Sequence, residues 1–171
     1  MCFREAQLED APEIARVHIQ TWRASYRGLM PDSILADLDT QARTLLWKKN
    51  LSRPKVWIFV AVQEELVVGF CSLALARDEE EEAKTVAEVT SIYVDPDKWG
   101  KGCGKALSEA ALQKARQCRF QEMVLWVLRE NRRARDFYEH LGFQLDGAGN
   151  AKEFAPGFLI PQVRYRLELE V

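Results

Sequence analysis

The feature that most restricts this chain is the run Trp99-Gly100-Lys101-Gly102-Cys103-Gly104, set between a strand pattern and a helix pattern. Thr85 to Val94 alternates as a strand, Asp95-Pro96-Asp97 ends it, and the loop feeds a helix from Lys105 to about Cys118. In that helix Ala106, Leu107, Ala110, Ala111 and Ala115 fall at helical spacing. Glycines at alternate positions let the backbone approach a ligand closely, and a helix start offers unpaired N–H donors and positive potential. The unit therefore suits an anion. It is not the dinucleotide fingerprint, because Lys105 or Leu107 stands where the third glycine is required. Nor is it a Walker A loop, which would need glycine at Trp99 and a hydroxyl at Ala106. A glycine-rich connection that packs helix on strand remains the plainer alternative for the loop alone.

The remaining pattern alternates helices and strands. A short strand lies near Phe3 to Ala6. Asp10 and Glu13 then stand in capping-box spacing before the repeat Ile14, Val17 or His18, Trp22. That helix ends near Gly28, and shorter helical segments follow from Pro31-Asp32 through Leu38 and from Gln41 to Asn50. Val56 to Val62 and Leu66 to Ala76 are apolar runs joined by Glu64-Glu65, which predicts an antiparallel hairpin; the acidic run Asp78 to Glu82 is the next loop. Strict alternation over Thr85 to Val94 puts Val86, Glu88, Thr90, Ile92 and Val94 on one face and Val89, Ser91 and Tyr93 on the other. Met123 to Leu128 is a strand, Asn131 to Leu141 a helix stopped by Gly142, and Gln162 to Leu169 a final strand. Gly147-Ala148-Gly149-Asn150 reads as a loop between strands. With no repeat and no linker, residues 1–171 read as one α/β domain.

Composition removes several classes. Lys and Arg number 24 against 26 Asp and Glu, a formal net charge of −2, so nothing recommends a nucleic-acid partner. No run approaches the length of a membrane span, and Met1 to Asp10 lacks the basic flank and apolar core of a signal peptide, so a cytoplasmic protein is expected. Cys2, Cys71, Cys103 and Cys118 lack paired spacing, and His18 and His140 alone do not complete a metal site with them. Free, mostly buried thiols are expected.

A second cluster reads Asn131-Arg132-Arg133-Ala134-Arg135-Asp136-Phe137-Tyr138-Glu139-His140-Leu141-Gly142-Phe143, one helix and one strand beyond the glycine loop. Together the two segments resemble the GNAT superfamily of N-acetyltransferases, whose pattern is Gln/Arg-x-x-Gly-x-Gly/Ala after a strand, then Asn-x-x-Ala-x-x-Phe-Tyr-x-x-x-Gly-Phe. Phe3 to Ala6 and the segment Trp22 to Gly28 fit the same architecture. The resemblance implies a central mixed, mostly antiparallel twisted sheet flanked by helices, with acetyl-coenzyme A as cosubstrate and no metal. It implies that main-chain groups of Ile92, Tyr93 and Val94 pair with the pantetheine arm, that Asn131 also binds that arm, and that amides of Gly100, Lys101, Gly102, Cys103, Gly104 and Lys105 hold the pyrophosphate. A bulge in the strand before the loop, and a splay between the central strands, come with it. Trp99 stands where the pattern has Gln or Arg, which leaves Lys101 or Lys105 to supply charge.

Within this resemblance Tyr138 falls at the tyrosine that protonates the departing thiolate and contacts the cofactor, although a Phe-Tyr pair near a helix end is otherwise ordinary packing. Glu88 lies eleven residues before Trp99, the spacing of a glutamate in some relatives, and is the candidate base; a water-facing strand carboxylate is the alternative. His18 and His140 have no motif behind them, and His18 reads as a hydrogen-bonded core histidine. Cys103 reads as buried packing, so transfer is direct. Trp22, Tyr26 and Trp47 are candidates for an aromatic acceptor wall. Asp78 to Glu82 is either a solvated loop or a steering charge for a cationic amine. The expected acceptor is a small-molecule primary amine. A peptide N-terminus or protein lysine, and a noncatalytic acyl-coenzyme A binding module, are the alternatives. A homodimer is compatible with the sequence but not indicated by it.

Overall fold

Seven strands in the order β1-β2-β3-β4-β5-β7-β6 carry the fold in the computed structural model, which describes residues 1–77 and 85–170. The strands are β1 Cys2–Glu5, β2 Val56–Gln63, β3 Leu66–Leu75, β4 Val86–Val94, β5 Glu122–Leu128, β6 Gln144–Ala155 and β7 Phe158–Glu168. The helices are α1 Ala11–Ser25, α2 Asp32–Ala36, α3 Thr40–Leu51, α4 Cys103–Gln117 and α5 Arg132–His140. Every neighbouring pair is antiparallel except β4–β5, which α4 connects as a crossover. The expected mixed, mostly antiparallel sheet flanked by helices is thus present. The acidic run Asp78 to Glu82, expected as a loop, lies outside the described residues.

Strand alternation feeds two cores. Ile58 and Val60 of β2 join Ile14, Val17, Trp47 and Phe70 beneath α1 and α3, while Phe59 and Ala61 join Cys71, Leu107, Leu125 and Tyr165 beneath α4. Gly69 is what lets α4 lie close: a Cβ there would meet Cys103 Sγ and Leu107 Cδ1 at 3.1 Å. Arg16 fixes α1 to the sheet by donating to the Val67 carbonyl at 2.7 Å and pairing with Asp95 at 3.3 Å.

Three local expectations differ from the structure. Asp10 and Glu13 do not form a capping box on α1: the Asp10 carboxylate turns back to Arg4 at 2.7 Å and to the Gln7 amide, and Glu13 pairs with Arg16. A guanidinium within reach outcompetes a single amide, and the Arg4 hydrogen bond, helped by the Gln7 amide and the Arg4 charge and opposed by burial, holds Asp10 below the usual carboxylate range. Gly147 to Asn150 is not a loop between strands but part of β6, where the register slips between Leu145↔Tyr165 and Gly149↔Val163. Gly147, at φ +87°, makes the bulge, and Asp146 clamps it through Arg164 at 2.6 Å.

The third difference is in β4. The pairing shifts from Ser72↔Ser91 to Leu73↔Val89, so Thr90 is an extra residue. Ala87 and Val89 share the α4 core with Ile92 and Val94, which means the alternation changes parity across the bulge. Glu88 therefore faces away from Ile92 and Val94, on the side where Tyr93 stacks against His18 at 5.1 Å. The single face expected for Val86 to Val94 does not exist.

Candidate active site

Parallel pairing of β4 with β5 stops at Val89↔Leu125. Beyond it the two strands diverge, and the opening becomes a cavity of about 720 Å³ lined by both. Its walls include Ile92, Tyr93 and Val94 of β4, the loop into α4, Asn131 and Tyr138 around α5, Glu88, Trp22 and Tyr26. Residues far apart in sequence thus meet on one space. Lys101 and Trp47 are the expected residues that do not line the cavity; the Lys101 ammonium bonds the Asp97 carbonyl at 2.9 Å instead.

At one end lies the glycine loop. Gly100 and Gly102 have φ of +72° and +79°, which only glycine adopts without strain, and Gly102 caps α4 without any side chain to occupy the first-turn amides. Gly104 serves differently, since a Cβ there would meet the Phe137 ring at 3.3 Å. Cys103, Gly104 and Lys105, whose first-turn amides no side chain caps, line the cavity, and a pyrophosphate fits such amides chemically. Trp99 does not supply the missing cation, but it holds one. Its Nε1 donates to the Val94 carbonyl at 2.7 Å, and the Arg133 guanidinium stacks 3.5 Å from its ring centroid. The Val94 oxygen also accepts from Thr21 Oγ1 at 3.0 Å, so it is engaged within the protein. Arg133 lines the cavity, and partial burial lowers its pKa. Sequence reading passed over it, although it sits two residues after Asn131 in the second motif. Asn131 caps α5, its Oδ1 accepting from the Ala134 amide at 3.2 Å, which leaves its side-chain amide group as a donor.

Tyr138 stands at the middle. Its ring packs against Phe137 at 5.4 Å and Phe143 at 6.1 Å, and among the described residues its hydroxyl has no hydrogen-bond partner. Burial, then the neighbouring Tyr93 and Cys71, push its pKa above the ordinary value, so it is a protonated donor at neutral pH. The nearby thiols are inert for the same reason. Burial pushes Cys103 up to about 11 and Cys71 up to about 12, overriding the helix N-terminus that would otherwise favour a Cys103 thiolate.

At the other end Glu88, 3% exposed, takes two hydrogen bonds from Arg77, at 2.6 and 3.2 Å. A carboxylate accepts about four hydrogen bonds, so two acceptor positions remain. Trp22 and Tyr26 line this end as expected, with Asn150, Lys152 and Phe154 opposite them at alternate positions of β6. Those three were hidden by reading the start of β6 as a loop. Trp47 does not join the wall: it is 2% exposed in the α1–α3 core and donates to His18 Nδ1 at 3.0 Å. His18 is held neutral, its pKa lowered to about 3 chiefly by burial and further by Arg43 and Lys152. No group of His, Cys, Asp and Glu among the described residues could hold a metal. Among those residues no helix is long and apolar enough to cross a membrane.

The model of the acetyltransferase (GNAT) family matches residues 19–143, and the chain belongs to that family. It is an acetyl-coenzyme A-dependent acyltransferase. The uncharacterized N-acetyltransferase YuaI of Bacillus subtilis is 34% identical over 129 residues, 75% of this chain and 72% of that protein. The probable N-acetyltransferase Rv2775 of Mycobacterium tuberculosis is 26% identical over 96% of this chain and 92% of its own length. In fold, the chain matches yncA of Salmonella typhimurium, a structure with its cofactor acetyl-CoA, at a TM-score of 0.74 and 20% identity over 100% of this chain and 95% of that one.

Proposed function

We propose that this chain, acting as one domain over residues 1–171, moves the acetyl group of acetyl-coenzyme A directly to a primary amine of a small molecule. The observation that carries this reading is a single cavity joining three things: the glycine loop at Gly100 to Lys105, the unpartnered Tyr138 hydroxyl and the Glu88 carboxylate. Acetyl-coenzyme A supplies the acetyl group as a thioester. First-turn amides of α4 and Arg133 hold its phosphates, while Asn131 and the part of β4 beyond its pairing with β5, at Ile92, Tyr93 and Val94, hold its arm, the Val94 carbonyl being already taken by Trp99 and Thr21. Glu88, oriented by Arg77, takes a proton from the ammonium form of the acceptor, directly or through a water. The amine nitrogen then bonds the acetyl carbon, the carbon–sulfur bond breaks and Tyr138 gives its proton to the departing sulfur; the second proton that the nitrogen sheds as the amide forms restores Tyr138, and Glu88 releases the first to solvent. The products are an N-acetyl amide and free coenzyme A.

Direct transfer is favoured over an acetyl-cysteine route because Cys103 and Cys71 are buried and held as thiols at neutral pH. Walls formed by Trp22, Tyr26 and Phe154 favour a small acceptor over an extended peptide. The test is release of free thiol from acetyl-coenzyme A with a broad amine panel, with mass analysis of the products. Stoichiometric thiol and N-acetyl amide are expected. Tight coenzyme binding without thiol release for any amine would make the chain a binding module.

A further inference from the structure

The acceptor end of the cavity is rich in unpaired donors. Arg77 and Glu88 satisfy each other at 2.6 Å, which leaves two more cations close by on different elements. Arg43 of α3 lies 5.1 Å from the centroid of the Trp22 ring, and Lys152 of β6 lies 5.2 Å from the centroid of the Phe154 ring. Neither side chain makes a hydrogen bond or ion pair among the described residues. Trp22 is 8% exposed and lines the cavity, yet its Nε1 has no partner, and an indole N–H can only donate. Behind it His18 accepts from Trp47 on Nδ1, which leaves Nε2 as a second buried donor without a partner. Trp22 and Lys152 line the cavity, and Arg43 stands over the Trp22 ring outside that lining, so an unpaired buried N–H beside positive charge calls for an acceptor atom carrying negative charge.

We propose that the amine acceptor is an amino acid or close analogue whose carboxylate is held by Lys152 and the Trp22 indole N–H, with Arg43 adding positive potential from beyond the cavity lining and the apolar side chain lying against Tyr26 and Phe154. This rests on the transferase reading above. In that arrangement Glu88 faces the amine and Lys152 faces the acid, so the cavity reads both charges of one small zwitterion. Burial first, then Arg77 and Arg43 against the opposing pull of Glu88, lower the Lys152 pKa, and a bound carboxylate would relieve the repulsion among the cations.

The experiment compares phenylalanine and leucine with phenylalaninamide, leucinamide and the matching amines that lack a carboxyl group, reading thiol release at neutral pH. An amide lowers the basicity of the neighbouring amine, so intrinsic reactivity favours the amides, and a preference for the acids must come from binding. The acids should exceed the amides in kcat/KM by about 10- to 100-fold, the scale of one charge-assisted hydrogen bond set. Lys152→Met and, separately, Arg43→Gln should each shrink that ratio, chiefly through KM for the acids. Calorimetry of phenylalanine binding in the presence of coenzyme A should show the same weakening in Lys152→Met. Amides or simple amines used as well as the acids overturn this inference and leave the transferase reading standing. Thiol release with no amine of any kind overturns both.

Discussion

The two ends of the cavity are built in opposite ways. The donor end comes from one contiguous stretch, β4 through α5, in which the loop conformation, the free helix amides, the α5 cap and Tyr138 follow one another along the chain. The acceptor end is assembled from α1, Arg77 beyond β3, Glu88 near the start of β4 and the far half of β6, segments distant from one another in the chain. A backbone-made anion site depends on local conformation, so few sequences can form it. A side-chain-made pocket depends on what distant segments happen to present, so many can. Changes at the donor end should therefore alter cofactor affinity or the chemical step, and changes at the acceptor end should alter the choice and protonation of the amine.

The largest effect is expected where the two ends meet. Tyr138→Phe keeps the ring packing and removes the proton donor, and turnover should fall roughly 10²- to 10⁴-fold while coenzyme A affinity, read by calorimetry, stays near wild type. Because the pKa of Tyr138 is raised above its ordinary value, the wild-type kcat profile should show no falling limb from this group below about pH 10. An undiminished kcat in the variant would assign the acid role to water. Next in size is Gly102→Asp, which puts a Cβ and a negative charge into a backbone at φ +79° beside the phosphate cradle. Cofactor affinity should weaken roughly 100-fold, the loss of one to two charge-assisted hydrogen bonds, in a variant whose thermal unfolding shows it folded. Equal affinity would erase the distinction between the two ends.

At the acceptor end, Glu88→Gln should lower activity at neutral pH by about 10- to 100-fold and recover part of it at alkaline pH. An alkylamine with a pKa near 10 costs about 4 kcal/mol to deprotonate at pH 7, and solvent supplies that deprotonation as pH rises. A pH–rate profile parallel to wild type would return Glu88 to a structural partner of Arg77. The smallest effect is assigned to Arg133→Ala, which removes the guanidinium stacked on Trp99. Its coenzyme A dissociation constant should rise about 10-fold, with the KM for amine moving far less. A reversed pattern, with amine KM affected and cofactor affinity intact, would place Arg133 in the wrong end.

Legibility in the sequence follows the same division. The strand–loop–helix unit, the hairpin of β2 and β3 and the α5 segment are local patterns, and each forms close to its expected limits. Period-two reading failed in β4 because a bulge at Thr90 breaks the alternation; the family resemblance implied a bulge in this strand, but the alternation itself does not show it. It failed in β6 because Gly147 and Gly149 look like a strand end, whereas the bulge they make is held by Asp146 against Arg164 across the sheet. That second failure concealed Asn150, Lys152 and Phe154, and with them most of the acceptor wall. Trp47 failed in the other direction, since an aromatic residue at helical spacing does not reveal which core it enters until α3 is packed on α1.

The central claim, that acetyl passes directly from one end of the cavity to the other, is tested by intact-protein mass spectrometry combined with rapid thiol detection. Enzyme mixed with excess acetyl-coenzyme A alone should remain unacetylated and release no burst of thiol. Addition of an accepted amine should then release thiol and N-acetyl amide in equal amounts from the first turnover. An acetylated enzyme formed before the amine is added, with the acetyl group on Cys103 or Cys71 and transferable to the amine, would contradict direct transfer and the buried-thiol argument on which it stands.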